Sequence, residues 1–387
     1  MIGKRQGRNM LCRSVSSVVK LVLFVLTLLA IGQPAFAQTS QSFQRLVAAA
    51  DRAREQNRDD EAIQHYRRSL VLQPESGESL WYLGILLYAK NDFGPARDTL
   101  RVFVALRPDS GAAWAFLGLS EFQLREYTRA LDHLQHAMAT GMGDDEDLKQ
   151  SVFYSVSILL TRLEQYDDSM AMLGAIVNTK QCSDAIIDAD GLAGLRMPLL
   201  PSEIPQDRHE LIRLAGKGLC AAQQGRADDA LESFTTMRDS FPKEPGVHFL
   251  MGSFLMKTRP EDGIAEMKRE LEVSPSHVPA RNRLAEQYTK SGQLEEALRL
   301  AQEAEKLEPK NFSVHLMLGE ALLAMGNTAE GVKELEKAKQ LAPDNIRIRW
   351  DLARAYTANG RAEDAQREKH EIERLQQQNN TLDAKQE

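Results

Sequence analysis

The residues that could do chemistry fall into four groups. His133 and His136 are three apart, a spacing that puts two imidazoles on one helix face and could hold a metal ion. Asp184, Asp188 and Asp190-Gly191 hint at a calcium loop, but the ligand spacing and the terminal bidentate Glu of such loops are missing. Acid pairs at Asp59-Asp60, Asp167-Asp168, Asp228-Asp229 and Glu295-Glu296 resemble carboxylates set for acid/base work. Cys182 and Cys220 could form one bridge in an oxidising compartment. Each group has a plainer explanation. The histidines read as solvated, the aspartates as turn residues, and Cys220 as a small buried hydrophobe. All four acid pairs fall at the start of a helix, where carboxylates complement the dipole. There is no Gly-rich phosphate loop, His-Glu-x-x-His, Gly-x-Ser-x-Gly or Cys-x-x-Cys. The expectation is a non-enzymatic protein without catalytic residues, metal or cofactor.

What positions these residues is a helical repeat. Strong helix formers dominate a chain of 387 residues that is 43% hydrophobic. Prolines recur at Pro74 and Pro108, then at Pro242, Pro275, Pro309 and Pro343, at intervals of 34, 33, 34 and 34 within each run. Twelve positions before each lies Ala62, Ala96, Ala230, Gly263, Ala297 or Gly331. Twelve further back lies another small residue in most repeats, such as Gly84, Gly218 or Gly319. Two helices joined by a turn need small residues where their backbones approach and a proline where the second helix stops. Lys90-Asn91-Asp92, Gly225, Gly292, Gly326 and Gly360 mark the turns within the hairpins. One hairpin cannot bury its own apolar face, so the hairpins must stack.

These residues resemble the tetratricopeptide repeat family. Leu80 or Trp81, then Leu83-Gly84, Leu87, Ala96, Leu100, Phe103 and Pro108 match its signature. Trp114, Leu117-Gly118, Ala130, Leu134 and Ala137 repeat it, as do Leu284-Ala285, Tyr288, Ala297, Ala301, Ala304 and Pro309. The resemblance implies an all-α, right-handed solenoid of about nine antiparallel hairpins in two stacks. About four repeats occupy 43–183, starting near 43, 77, 111 and 150. About five occupy 211–379, starting near 211, 245, 278, 312 and 346. Between them, 184–210 breaks the period and reads as an insertion loop with room for one short helix. Residues 380–387 form a polar tail.

The first residues have a separate purpose. Lys4, Arg5, Arg8, Arg13 and Lys20 precede an apolar run from Leu21 to Ile31, and Ala35-Phe36-Ala37 suits a peptidase. Residues 1–37 read as a secretory signal cleaved before Gln38, giving a periplasmic or extracellular protein. The alternative is an inner-membrane anchor over 21–37, the one way in which a membrane would be a partner. Cleavage leaves 43 basic against 55 acidic residues, a net charge of −12, which argues against nucleic acid as a partner.

The resemblance also implies a binding surface. In this family the first helix of each pair lines a groove that receives a peptide or partner helix. Carried over repeat by repeat, the groove positions are Trp81, Ile85, Tyr88, Ala115, Leu119, Phe122, Tyr154 and Ile158. In the second stack they are Leu219, Phe249, Met256, Leu316, Leu323 and Trp350. This stripe is more apolar than a solvated face requires, so a protein segment is the expected partner. Val47 and Asp51 stand where a carboxylate clamp would need Lys and Asn, so chaperone tails are not expected. The expected function is an interaction scaffold in the cell envelope, with a membrane-anchored accessory subunit of an envelope assembly or export machine as the alternative.

Overall fold

A computed structural model describes residues 39–177 and 182–383; the signal or anchor reading of 1–37 lies outside them. Among the described residues every regular element is helical. No described helix is long and apolar enough to cross a membrane. The chain divides into two compact units, Met1–Gly143 and Asp144–Glu387.

In the first unit α1 (39–55) pairs with α2 (Asp59–Leu72), α3 (Gly77–Ala89) with α4 (Phe93–Leu106), and α5 (Gly111–Gln123) with α6 (Tyr127–Thr140). Pro74 and Pro108 each stand two residues beyond the last helical residue, where they terminate α2 and α4. The small positions are the crossing points. A Cβ on Gly84 would lie 2.7 Å from Leu100 Cγ, inside van der Waals contact, so the approach of α3 and α4 requires glycine. Tyr66, Leu87, Leu100, Leu117 and Leu134 are fully buried and form the spine of this unit. Stacking places Leu80, Phe103 and Leu117, from three successive helices, in one cluster.

The second unit opens with the hairpin of α7 (Glu146–Arg162) and α8 (Tyr166–Val177). Five more follow, the first four being α10 (His209–Gln223) with α11 (Ala227–Ser240), α12 (Val247–Leu255) with α13 (Pro260–Val273), α14 (Val278–Lys290) with α15 (Leu294–Leu307), and α16 (Phe312–Ala324) with α17 (Thr328–Leu341). The last pairs α18 (Ile346–Ala358) with α19 (Ala362–Asp383). Pro242, Pro275, Pro309 and Pro343 again stand two residues past a helix end. The acid pairs sit in the first turns of α2, α8, α11 and α15, as the dipole argument requires.

Within 184–210 the aspartates are not turn residues. Asp184, Asp188 and Asp190 lie on α9 (Asp184–Gly194), and two short 3₁₀ turns follow, Pro201–Glu203 and Gln206–Arg208. Ser183 caps α9 by accepting from the Ile186 N–H. The helix seats directly on α10: a Cβ on Gly191 would fall 2.0 Å from the Ile212 carbonyl oxygen, and one on Gly216 1.8 Å from that of Ile187. The two backbones touch, and the glycines that looked like loop residues are packing residues. A disulfide between Cys182 and Cys220, with Cα atoms 6.5 Å apart, ties the segment leading into α9 to α10.

Candidate functional site: the faces of the first helices

The first helix of each hairpin carries the stripe expected to bind a partner. In the first unit Trp81, Ile85, Tyr88 and Phe122 are half-buried. Trp81 stands 5.5 Å from the ring of Phe103 and 6.0 Å from that of Phe116. Tyr88 meets Phe116 edge-on at 5.2 Å and Phe93 at 5.6 Å. Each ring thus packs on two aromatic neighbours and stays partly open to solvent. Burial raises the Tyr88 hydroxyl above the usual phenol range. Ala115 and Leu119, placed on the same surface from sequence, are buried. Their side chains fill the stack and do not reach the surface on which the repeat register set them.

In the second unit Tyr154, Leu219, Phe249, Met256 and Leu323 are half-buried, and Trp350 is 46% exposed. Ile158 and Leu316, expected on this surface, are buried in the stack like Ala115 and Leu119. Leu219 and Phe249 pack against the cluster around Leu250 and Phe234, and Met256 against the one around Leu284. Leu323 covers Gly331, where a Cβ would be 2.7 Å from its Cγ. Tyr154 lines a cavity of about 400 Å³ with Ile176 and Ile186. Trp350 lines another of about 430 Å³ with Ala353, Arg354 and Lys369.

Polar groups on the same helices were missed from sequence. Arg347 on α18 lies 2.9 Å from Glu320 on α16 and 3.4 Å from Glu286 on α14. Burial, reinforced by Asp351, pushes the Glu320 carboxyl up to about 7, while Arg347 pulls the other way. Lys290 reaches the same oxygen of Glu286 at 3.0 Å, and Arg283 the other at 3.4 Å. One signal was available: Glu286 and Glu320 are one repeat apart, at the same helix position.

The two histidines of α6 are not freely solvated. His133 Nδ1 is 2.6 Å from the buried Glu121 carboxylate, and both imidazoles pack on the Trp114 ring, at 5.1 and 4.6 Å. Asp184 and Asp188 share Arg213, at 2.5 and 3.6 Å. Asp190 is completely buried and, among the described residues, has only the Gln223 amide within reach, at 3.4 Å, so burial lifts its carboxyl to about 7.

Models of the tetratricopeptide repeat match residues 47–110, 89–145, 288–340 and 322–383, together about half of the chain. No curated protein matches it. Among solved structures, MamA of Desulfovibrio magneticus RS-1, from residue 41 to its end, is 17% identical. That match covers 43% of this chain and 96% of the other, with a TM-score of 0.39. The RS-1 MamA ArsTM double mutant matches over 44% of this chain and 97% of its own at 17% identity and a TM-score of 0.39. An AMB-1 MamA matches over 42% and 98% at 24% identity and 0.36. With hairpins in 34-residue register and these models in phase with them, the chain belongs to the tetratricopeptide repeat family and is a protein-interaction scaffold.

Proposed function

We propose that this scaffold is non-catalytic, works in the cell envelope, and holds an extended or helical protein segment against the first-helix face of its hairpins. The observation that carries this reading is the set of half-buried rings on the first helices of two successive hairpins, Trp81 and Tyr88 on α3 and Phe122 on α5. A stiff stack presents such anchors already in place, so little entropy is lost on its side when the partner docks. The acidic balance of the chain disfavours nucleic acid as the partner. The signal-like residues 1–37 and the Cys182–Cys220 bridge both support an oxidising compartment.

A photo-crosslinking residue placed at Ile85 or Phe122, compared with one at the outward-facing Val71 or Val102, tests the face. Both groove positions should capture the same partner segment and the outer positions should not. Equal capture from both sides would sink the reading. Mass spectrometry of the mature chain tests the compartment: an N-terminus at Gln38 is expected, and a retained Met1 points to the anchored accessory subunit.

A further inference from the structure

The second unit repeats one polar device three times, and the middle copy differs in charge. In each copy the residue six positions after the closing proline bonds that proline's carbonyl. Its other end meets a Glu on the next helix. Arg349 donates to the Pro343 carbonyl at 2.8 Å and to Glu368 at 2.7 Å. His248 bonds the Pro242 carbonyl at 3.0 Å and Glu266 at 2.6 Å. His315 does the same with Pro309 at 2.9 Å and Glu334 at 2.8 Å.

Ten positions before the donor, the outer copies carry a cation that neutralises the Glu. Arg238 lies 3.7 Å from Glu266, and Lys339 lies 2.7 Å from Glu368. In the middle copy that position is Glu305. A buried carboxylate there faces a second carboxylate where its sisters face a positive charge.

We propose that Glu305, His315 and Glu334 form a site for a divalent cation of the zinc class. Their ligand atoms lie within 4.8 Å of one another. His315 and Glu334 are 4% and 8% exposed, so the site is largely built before an ion arrives. The Pro309 carbonyl accepts from Nε2–H, so an ion that displaced the present Nδ1 contact to Glu334 would meet the Nδ1 lone pair. That is the orienting contact metal-bound histidines use. One imidazole and two carboxylates suit Zn²⁺ better than an all-oxygen cation, and three protein ligands leave a position for water. Lys337 now bridges the acids, 2.8 Å from Glu334 and 3.9 Å from Glu305. Its side chain is 40% exposed, so it can swing into solvent when a divalent ion displaces it. The ligands come from α15, α16 and α17, so the ion would tie two successive hairpins together.

Calorimetric titration of the untagged, metal-free protein with Zn²⁺ tests the site, with thermal unfolding in parallel. One equivalent should bind and raise the melting temperature. Glu305→Arg, which restores the charge of the sister copies, should weaken binding by about tenfold or more. Lys337→Met should tighten it, because the competing cation is gone. His248→Asn should leave the Zn²⁺ affinity and stoichiometry unchanged. Glu305 lies at a partly exposed position, so its variant is expected to keep the wild-type circular dichroism even if His315→Asn misfolds. Absence of stoichiometric binding, or equal affinity in wild type and Glu305→Arg, would overturn the proposal.

Discussion

Trp81, Tyr88 and Phe116 fill the space between helices of the first unit with rings. The corresponding faces of α14, α16 and α18 in the second unit carry Glu286, Glu320, Arg347 and Asp351. The frame is the same in both: hairpins in 34-residue register, proline stops and small residues at the crossings. The difference lies in what the frame leaves free. The second unit also buries Asp190, Glu270 and His277 and contains the Cys182–Cys220 bridge. Stability and recognition should therefore respond to pH, salt and redox state in the second unit and to apolar truncation in the first.

The largest expected effect separates the units by redox state. The bridge closes a 38-residue separation, and loop-closure entropy of that size is worth about 4 kcal/mol. Reduction, or Cys220→Ala, should lower the free energy of opening by about that amount for the amides of α9 and α10. Amides of α3 to α6 should be unchanged. Hydrogen exchange read by mass spectrometry resolves the two, and uniform loss across residues 39–143 would break the comparison.

Asp190 gives the largest pH effect. Its folded carboxyl holds the proton up to about 7, whereas the unfolded chain releases it near 4. The folded state thus binds more protons between these values, and stability falls as pH rises through that window. Asp190→Asn should gain up to about 4 kcal/mol in urea unfolding at pH 8, and the gain should vanish by pH 4. No gain at pH 8 would mean that the carboxylate finds a partner when ionised.

The tryptophans compare the two faces directly. Trp81→Ala removes a ring packed between Phe103 and Phe116 and should cost about 3 kcal/mol. Trp350→Ala, at a position 46% exposed, should cost less than about 1 kcal/mol. Equal losses would mean that Trp350 is held by more than its visible neighbours.

The frame was legible in the sequence because it is periodic. Helix starts expected near 77, 111, 278, 312 and 346 are where α3, α5, α14, α16 and α18 begin. The faces were less legible. Whether Ala115 or Ile158 is covered depends on the neighbouring hairpin, and no spacing within one repeat carries that information. The α9 segment was obscured for a different reason. Its Asp, Ala and Gly content resembles a turn, and its helix is fixed by the Ser183 cap and by close contact of Gly191 and Gly216, a tertiary effect. Polar partners such as Pro309 and His315 were hidden until the hairpin turned the carbonyl toward the ring.

The smallest effect tests the shared frame itself. Within every hairpin but that of α12 and α13, the residue that reverses the chain adopts a left-handed backbone: Asn57, Asn91 and Arg125 in the first unit, and Glu164, Gly225, Gly292, Gly326 and Gly360 in the second. Glycine takes that conformation without a Cβ penalty; arginine and glutamate do not. Arg125 has φ 62° and Glu164 has φ 63°, so both turns are strained to the same degree in different surroundings. Arg125→Gly and Glu164→Gly should each stabilise by about 0.5–1 kcal/mol, the local relief exceeding the extra freedom glycine gives the unfolded chain. Matching gains in chemical denaturation would mean that the turn is an independent module of the repeat. A gain at one site and a loss at the other would show that the side chains around the turn, and not the frame, set its conformation.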